Sequence, residues 1–119
     1  MRILVVEDDT NLNRQLKEAF TEAGYAVDVA FDGEEGHFLG DTEPYDAIVL
    51  DIGLPQMDGN ELARRLRADG DTSHAVLIAL TGYGLDSDRQ TSLAAGFDHF
   101  FTKPVDLARL SAVLQAVPV

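Results

Sequence analysis

A hydrophobic period that switches back and forth along the whole chain constrains the fold more than any other feature. Ile3-Leu4-Val5-Val6 is an unbroken aliphatic run, the pattern of a strand buried on both faces. Leu12, Leu16, Ala19, Phe20 and Ala23 then recur at helical spacing, and Gly24 supplies a helix stop. Val27 and Val29 alternate with Asp28 in a second short strand, and Gly33 to about Leu39 carries a weaker helical pattern diluted by glycine. Ala47-Ile48-Val49-Leu50 is a third strand. Leu62 and Leu66 mark the next helix, with Arg64, Arg65 and Arg67 read as its solvated side. Ala75 to Leu80 is a fourth strand, Asp88 to Ala95 a helix closed by Gly96, and Phe100-Phe101 a short fifth strand. Leu107, Leu110 and Leu114 define a terminal helix ended by Pro118.

Five β-α units in succession, with no linker or repeat between them, predict one parallel sheet covered by helices on both faces. At 119 residues the chain is long enough for one core and too short for two. Nine basic against 21 acidic residues give a net charge of −12, which repels phosphate backbones and anionic lipid and argues against direct nucleic-acid or membrane binding. With no cysteine there are no disulfides, thiolate metal sites or cysteine nucleophiles. The apolar runs are too short to span a bilayer and no signal peptide precedes them, so the expected compartment is the cytoplasm.

Open parallel sheets hold their ligands beyond the carboxyl ends of the strands. Glu7, Asp8 and Asp9 follow the first strand, Asp51 the third, Thr81-Gly82 the fourth, and Thr102-Lys103-Pro104 the fifth. Singly, each has a plain structural explanation: the first acids as helix caps, Asp51 and Thr81 as turn residues, Lys103 as a solvated side chain. Together they bring four carboxylates, two hydroxyls and one of only two lysines to one edge. Clustered carboxylates predict at least one raised pKa in the metal-free protein and an affinity for a hard divalent cation, Mg²⁺ in preference to Ca²⁺. Such a set supports phosphoryl transfer to a carboxylate, with Asp51, alone on the central strand, as the acceptor.

On these residues the chain resembles a response-regulator receiver domain over nearly its whole length. The motifs that carry the resemblance are Glu7-Asp8, the run D-I-G-L-P-Q-M-D-G from Asp51 to Gly59, Thr81-Gly82 and Lys103-Pro104. The resemblance implies a flavodoxin-like (βα)5 fold, a doubly wound five-stranded parallel sheet in the order 2-1-3-4-5. It implies one receiver domain over residues 1–119, with no effector domain in the chain. Asp51 would be the phosphoacceptor. Mg²⁺, or Mn²⁺ in its place, would be held by Asp8, by Glu7 through water, by Asp51 and by the main-chain carbonyl of Gly53. Thr81 and Lys103 would hold the phosphoryl group, Phe100 would turn inward when Thr81 moves, and the Lys103–Pro104 bond would be cis.

The function so implied is a phosphorylation-controlled switch of a two-component or phosphorelay system. It would take its phosphoryl group from a histidine kinase or histidine phosphotransfer protein. It would show a downstream protein a changed surface, formed by the helix from about Asp88, the last strand and the terminal helix. Beyond its own aspartyl phosphorylation and dephosphorylation it would not be an enzyme. Residues 1 to about 70 resemble receivers attached to DNA-binding regulators, whereas Ala79 to Leu107 resemble receivers fused to hybrid sensor kinases. A recombined receiver-like chain serving only as a folded or binding module is therefore the alternative.

Some positions depart from common patterns of the family. Phe100 replaces a frequent tyrosine, Gly53 offers no side chain two residues past the acceptor, and Tyr83 stands where it could shield a phosphoryl group, so slow hydrolysis is expected. The terminal helix carries Asp106 and Arg109 but Val113 where a base is usual, which argues against pairing through an ion lattice. A haloacid-dehalogenase-type phosphatase would need an acid where Gly53 stands, and a nucleotide or flavin carrier would need a glycine-rich loop where Asp8-Asp9-Thr10 stands. His37, His74 and His99 lack metal-ligand spacing.

Overall fold

The computed structural model describes residues 1–54, 57, 59–68, 74–82 and 95–117. Five strands, β1 (Arg2–Val6), β2 (Ala26–Ala30), β3 (Ala47–Asp51), β4 (Val76–Thr81) and β5 (His99–Thr102), form one sheet. All pairings are parallel and the order is β2-β1-β3-β4-β5, the doubly wound arrangement expected. The described helices are α1 (Thr10–Glu22), α2 (Gly33–Thr42), α3 (Gly59–Ala68) and α4 (Leu107–Gln115). The helix expected over Asp88 to Ala95 lies, save for Ala95, outside the described residues, as does Pro118. No described helix is long and apolar enough to cross a membrane.

The unbroken apolar runs are explained by a core on each side of the sheet. Ile3, Val5, Val49, Ile78 and Leu80 pack with Leu16 and Phe20 of α1 and Leu110 and Leu114 of α4. Leu4, Val6, Ile48, Leu50 and Leu77 pack on the other side with Leu62 and Leu66 of α3. Successive residues of a strand point to opposite faces, so each central strand must be apolar throughout.

The helix ends follow capping chemistry. Asp9, Asp32 and Asp106 each accept main-chain N–H bonds at the start of α1, α2 and α4. Gly24 closes α1 at φ +95°, a conformation that disfavours other residues. The glycines that weaken the α2 pattern are a packing requirement: a Cβ on Gly36 would stand 2.9 Å from a Val6 methyl and 3.2 Å from Leu62. Helix propensity is given up there for close approach of α2 to β1 and α3.

One expectation fails. Arg67 is not part of a solvated face. Its Nε and Nη2 donate to Gly96 O at 3.0 and 2.9 Å, its Nη1 donates to Ala75 O, and it pairs with Asp98 at 2.6 Å. Only Arg64 and Arg65 are exposed, Arg65 pairing with Glu61 one turn back. Helical spacing alone could not foresee that the last turn of α3 abuts the entry to β5.

Candidate functional site

Strand register builds the site. Val6 is opposite Leu50, and Asp51 opposite Leu80, so the residues at the carboxyl ends of β1, β3 and β4 meet at one edge. The main chain ties these ends together: Ile52 N–H donates to Leu80 O at 3.0 Å, and Lys103 N–H to Thr81 O at 2.7 Å. The Lys103–Pro104 peptide bond is cis.

Glu7, Asp8 and Asp51 each offer a carboxylate oxygen within 4.8 Å of the others, and among the described residues they are the one such group of metal-ligating side chains. Glu7 is fully buried, Asp51 is 6% exposed and Asp8 is exposed. Lys103 Nζ lies 2.8 Å from Glu7 Oε1 and 3.3 Å from Asp51 Oδ2. The Glu7 contact is an ion pair, since no directed hydrogen bond reaches Oε1. Asp9 N–H donates to Glu7 Oε2 at 3.0 Å, and Gly53 N–H to Asp51 Oδ1 at 2.9 Å. Asp9 itself caps α1, so the structural explanation holds for that one of the three acids.

The electrostatics follow from burial and pairing. Burial pushes the Glu7 carboxyl up to about 7, against the pull of Lys103 and the Asp9 N–H, with the Asp51 charge a lesser contributor. A raised pKa was expected, but from charge repulsion; desolvation is the larger cause. Burial also pushes Asp51 up, yet the Gly53 N–H, the Glu7 and Asp8 side chains and the Lys103 charge together hold it below the usual range. Burial lowers the Lys103 ammonium, and Glu7 and Asp51 more than reverse this.

This donor set fits a small hard cation. Three carboxylates converge, two of them buried, and one oxygen lacks a directed hydrogen bond. Gly53 is exposed beside them, and a Cβ there would meet nothing closer than Asp51 Oδ1 at 3.7 Å. Thr81 is half-buried at the end of β4. Phe100, on β5, is half-buried against the α2/α3 core and tilted 56° to the Phe97 ring at 6.2 Å. Tyr83 lies outside the described residues.

Two supports were missed in the sequence. Gly59 starts α3 against the end of β3: a Cβ there would stand 2.5 Å from Asp51 O and 2.7 Å from Ile52 Cα. Asn13, on the inner face of α1, is the third buried polar residue beside Glu7 and Asp51 among the described residues. A polar residue interrupting the apolar face of α1 was the available signal.

The profile of the response regulator receiver domain matches residues 3–115. The transcriptional regulatory protein TctD of Salmonella typhimurium (strain SL1344) is 40% identical over 117 residues, 98% of this chain and 51% of that protein. The transcriptional regulatory protein TcrA of Mycobacterium tuberculosis (strain ATCC 25618 / H37Rv) is also 40% identical, over 98% of this chain and 46% of its own length. The chain thus spans about half the length of these curated relatives. Among solved structures, the receiver domain of the sensor histidine kinase PA1611 from Pseudomonas aeruginosa PAO1 superposes with a TM-score of 0.90 at 33% identity. The match covers 98% of this chain and 95% of that one, and that structure has a magnesium ion coordinated in its active-site cleft.

Proposed function

The chain belongs to the response regulator receiver family, the phosphorylation switches of two-component signalling, and from that membership we propose that Asp51 is its phosphoacceptor. One observation carries the assignment: of the two buried carboxylates at this edge, Asp51 ends the central strand and keeps some access to solvent 3.3 Å from a lysine ammonium, whereas Glu7 is fully buried. A carboxylate oxygen of Asp51 attacks the phosphorus of the donor. The bond from phosphorus to the donor histidine nitrogen breaks, and the imidazole leaves with its electron pair and takes a proton from solvent. Against the effect of burial, the Gly53 N–H and the Lys103 ammonium help to hold the attacking group ionised, and the Gly53 N–H orients it. Lys103 and the Thr81 hydroxyl receive the phosphoryl oxygens, and the ammonium offsets their charge.

Glu7, Asp8, Asp51 and the carbonyl of Gly53 are the groups that would hold Mg²⁺, with Mn²⁺ as a substitute. The cation supplies charge neutralisation for the transferring group. The phosphoryl adds about −1.5 to −2 charges beside Thr81. Its contacts favour one arrangement of the chain after β4, and Phe100 follows Thr81 inward. The surface read by a downstream protein is that of the segment from about Asp88, β5 and α4. This is a population shift, bounded by the difference in phosphoryl contacts between the two states. The donor is a histidine kinase or histidine phosphotransfer protein, and the setting is cytoplasmic. Residues 1–119 act as one receiver unit, with no turnover of external substrates.

The test is intact mass after incubation with Mg²⁺ and acetyl phosphate, beside Asp51→Asn. One phosphoryl on the parent and none on the variant is expected. A folded parent that gains none under any small donor would leave only the binding-module alternative.

A further inference from the structure

We propose that Asn13 is a positioning residue for the cation site, fixing the turn that carries Glu7 and Asp8. The inference rests on the metal reading above and adds to it a residue outside the acid, threonine and lysine set. Asn13 is 2% exposed on α1. Its side-chain Nδ2 donates to Glu7 O at 3.0 Å and to Ala30 O at 3.2 Å. Two carbonyl oxygens facing one amide fix which end is the NH2 group, and both its hydrogens are spent. Ala30 O also accepts the Glu7 N–H at 3.1 Å, and Asn13 N–H donates to Asp9 O at 2.9 Å. One side chain therefore joins the ends of β1 and β2 to the first turn of α1, directly beneath the acids.

The consequence is orientational. The carbonyl of Glu7 belongs to the peptide plane leading into Asp8, so the Asn13 bond sets the direction in which the exposed Asp8 carboxylate leaves the backbone. The Glu7 carboxylate is anchored from the other side by the Asp9 N–H. Without the amide, the Glu7 carbonyl would seek water, Ala30 O would keep only the Glu7 N–H, and the Glu7–Asp9 turn would open at the point where the acids converge. Groups that orient metal ligands typically change affinity by about 10- to 100-fold when removed.

Mn²⁺ titration followed by electron paramagnetic resonance, well below each protein's melting temperature, separates positioning from general stability. Parent, Asn13→Ala and Tyr45→Phe are compared, the last removing a partly buried hydrogen bond remote from the acids (Tyr45 to Asp28). Asn13→Ala should bind Mn²⁺ at least about tenfold more weakly than the parent, with Tyr45→Phe unchanged. An Asn13→Ala affinity within about twofold of the parent's would overturn the proposal while leaving the metal site intact; a parent that binds no Mn²⁺ would remove both. If Asn13→Ala does not fold, the side-chain amide signals of Asn13 in the parent decide: they should shift on saturation with Mg²⁺, and unmoved signals overturn the proposal.

Discussion

The ammonium of Lys103 sits 2.8 Å from the buried carboxylate of Glu7, closer than to Asp51 at 3.3 Å. In the metal-free protein the lysine thus lies chiefly against an acid of the proposed cation site, with Asp51 its second partner. A cation bound as proposed would compete with the lysine for Glu7, which would couple the site to pH.

Glu7 titrates near 7 in the folded chain against 4.5 for a free side chain. A carboxyl with a raised folded pKa contributes stability that is full below the unfolded value and lost as pH climbs through the folded one. Asp51, shifted down, is ionised in both states over this range. The metal-free protein should therefore lose stability between pH 5 and 8, by up to about 3 kcal/mol from this group. Mg²⁺ favours the ionised acid, so its stabilising effect should be larger at pH 8 than at pH 6. Thermal melts with and without Mg²⁺ at both pH values check this, and an equal Mg²⁺ effect would contradict it.

Gly59→Ala should impair the site from behind. The added methyl meets the Asp51 carbonyl at 2.5 Å and cannot be relieved by a side-chain rotation. A loss of about 1–3 kcal/mol is expected from this overpacking. Slower phosphorylation by acetyl phosphate should accompany it, read by denaturant melts and by intact mass over time.

Gly53→Asn tests the lifetime of the acyl phosphate. Space beside Gly53 is open and its backbone is not left-handed, so a side chain fits without strain. An amide there can orient water toward the phosphoryl group and should shorten the half-life. In the parent, hydrolysis should take longer than seconds in buffer; a half-life of seconds would refute the slow-hydrolysis expectation.

Tyr45→Phe should separate stability from chemistry. The buried hydroxyl donates to Asp28 Oδ2 at 2.7 Å, and Arg2 remains on that carboxylate at 2.8 Å. The variant should lose about 1 kcal/mol in denaturant melts and phosphorylate at the parent rate.

Much of this was legible in the sequence because both the fold and the chemistry lie on short segments. Each central strand is an unbroken apolar run followed at once by its candidate side chain, so locating Ile3 to Val6 or Ala47 to Leu50 also located Glu7, Asp8 and Asp51. The supports were not legible, because they act across the fold. Asn13 reaches two strand ends that only the tertiary structure brings together, Gly59 matters through the backbone of Asp51, and Arg67 turns inward to Gly96, 29 residues later. The cause of the raised Glu7 pKa was likewise hidden: charges can be counted in a sequence, but desolvation depends on complete burial.

The central claim is that the phosphoryl group goes to Asp51. Borohydride reduction of the protein after incubation with Mg²⁺ and acetyl phosphate converts an aspartyl phosphate to homoserine, which peptide mass mapping locates. Homoserine at position 51 alone is the expected result. Homoserine at position 8 or 9, or a phosphoryl group retained by Asp51→Asn, would contradict the account.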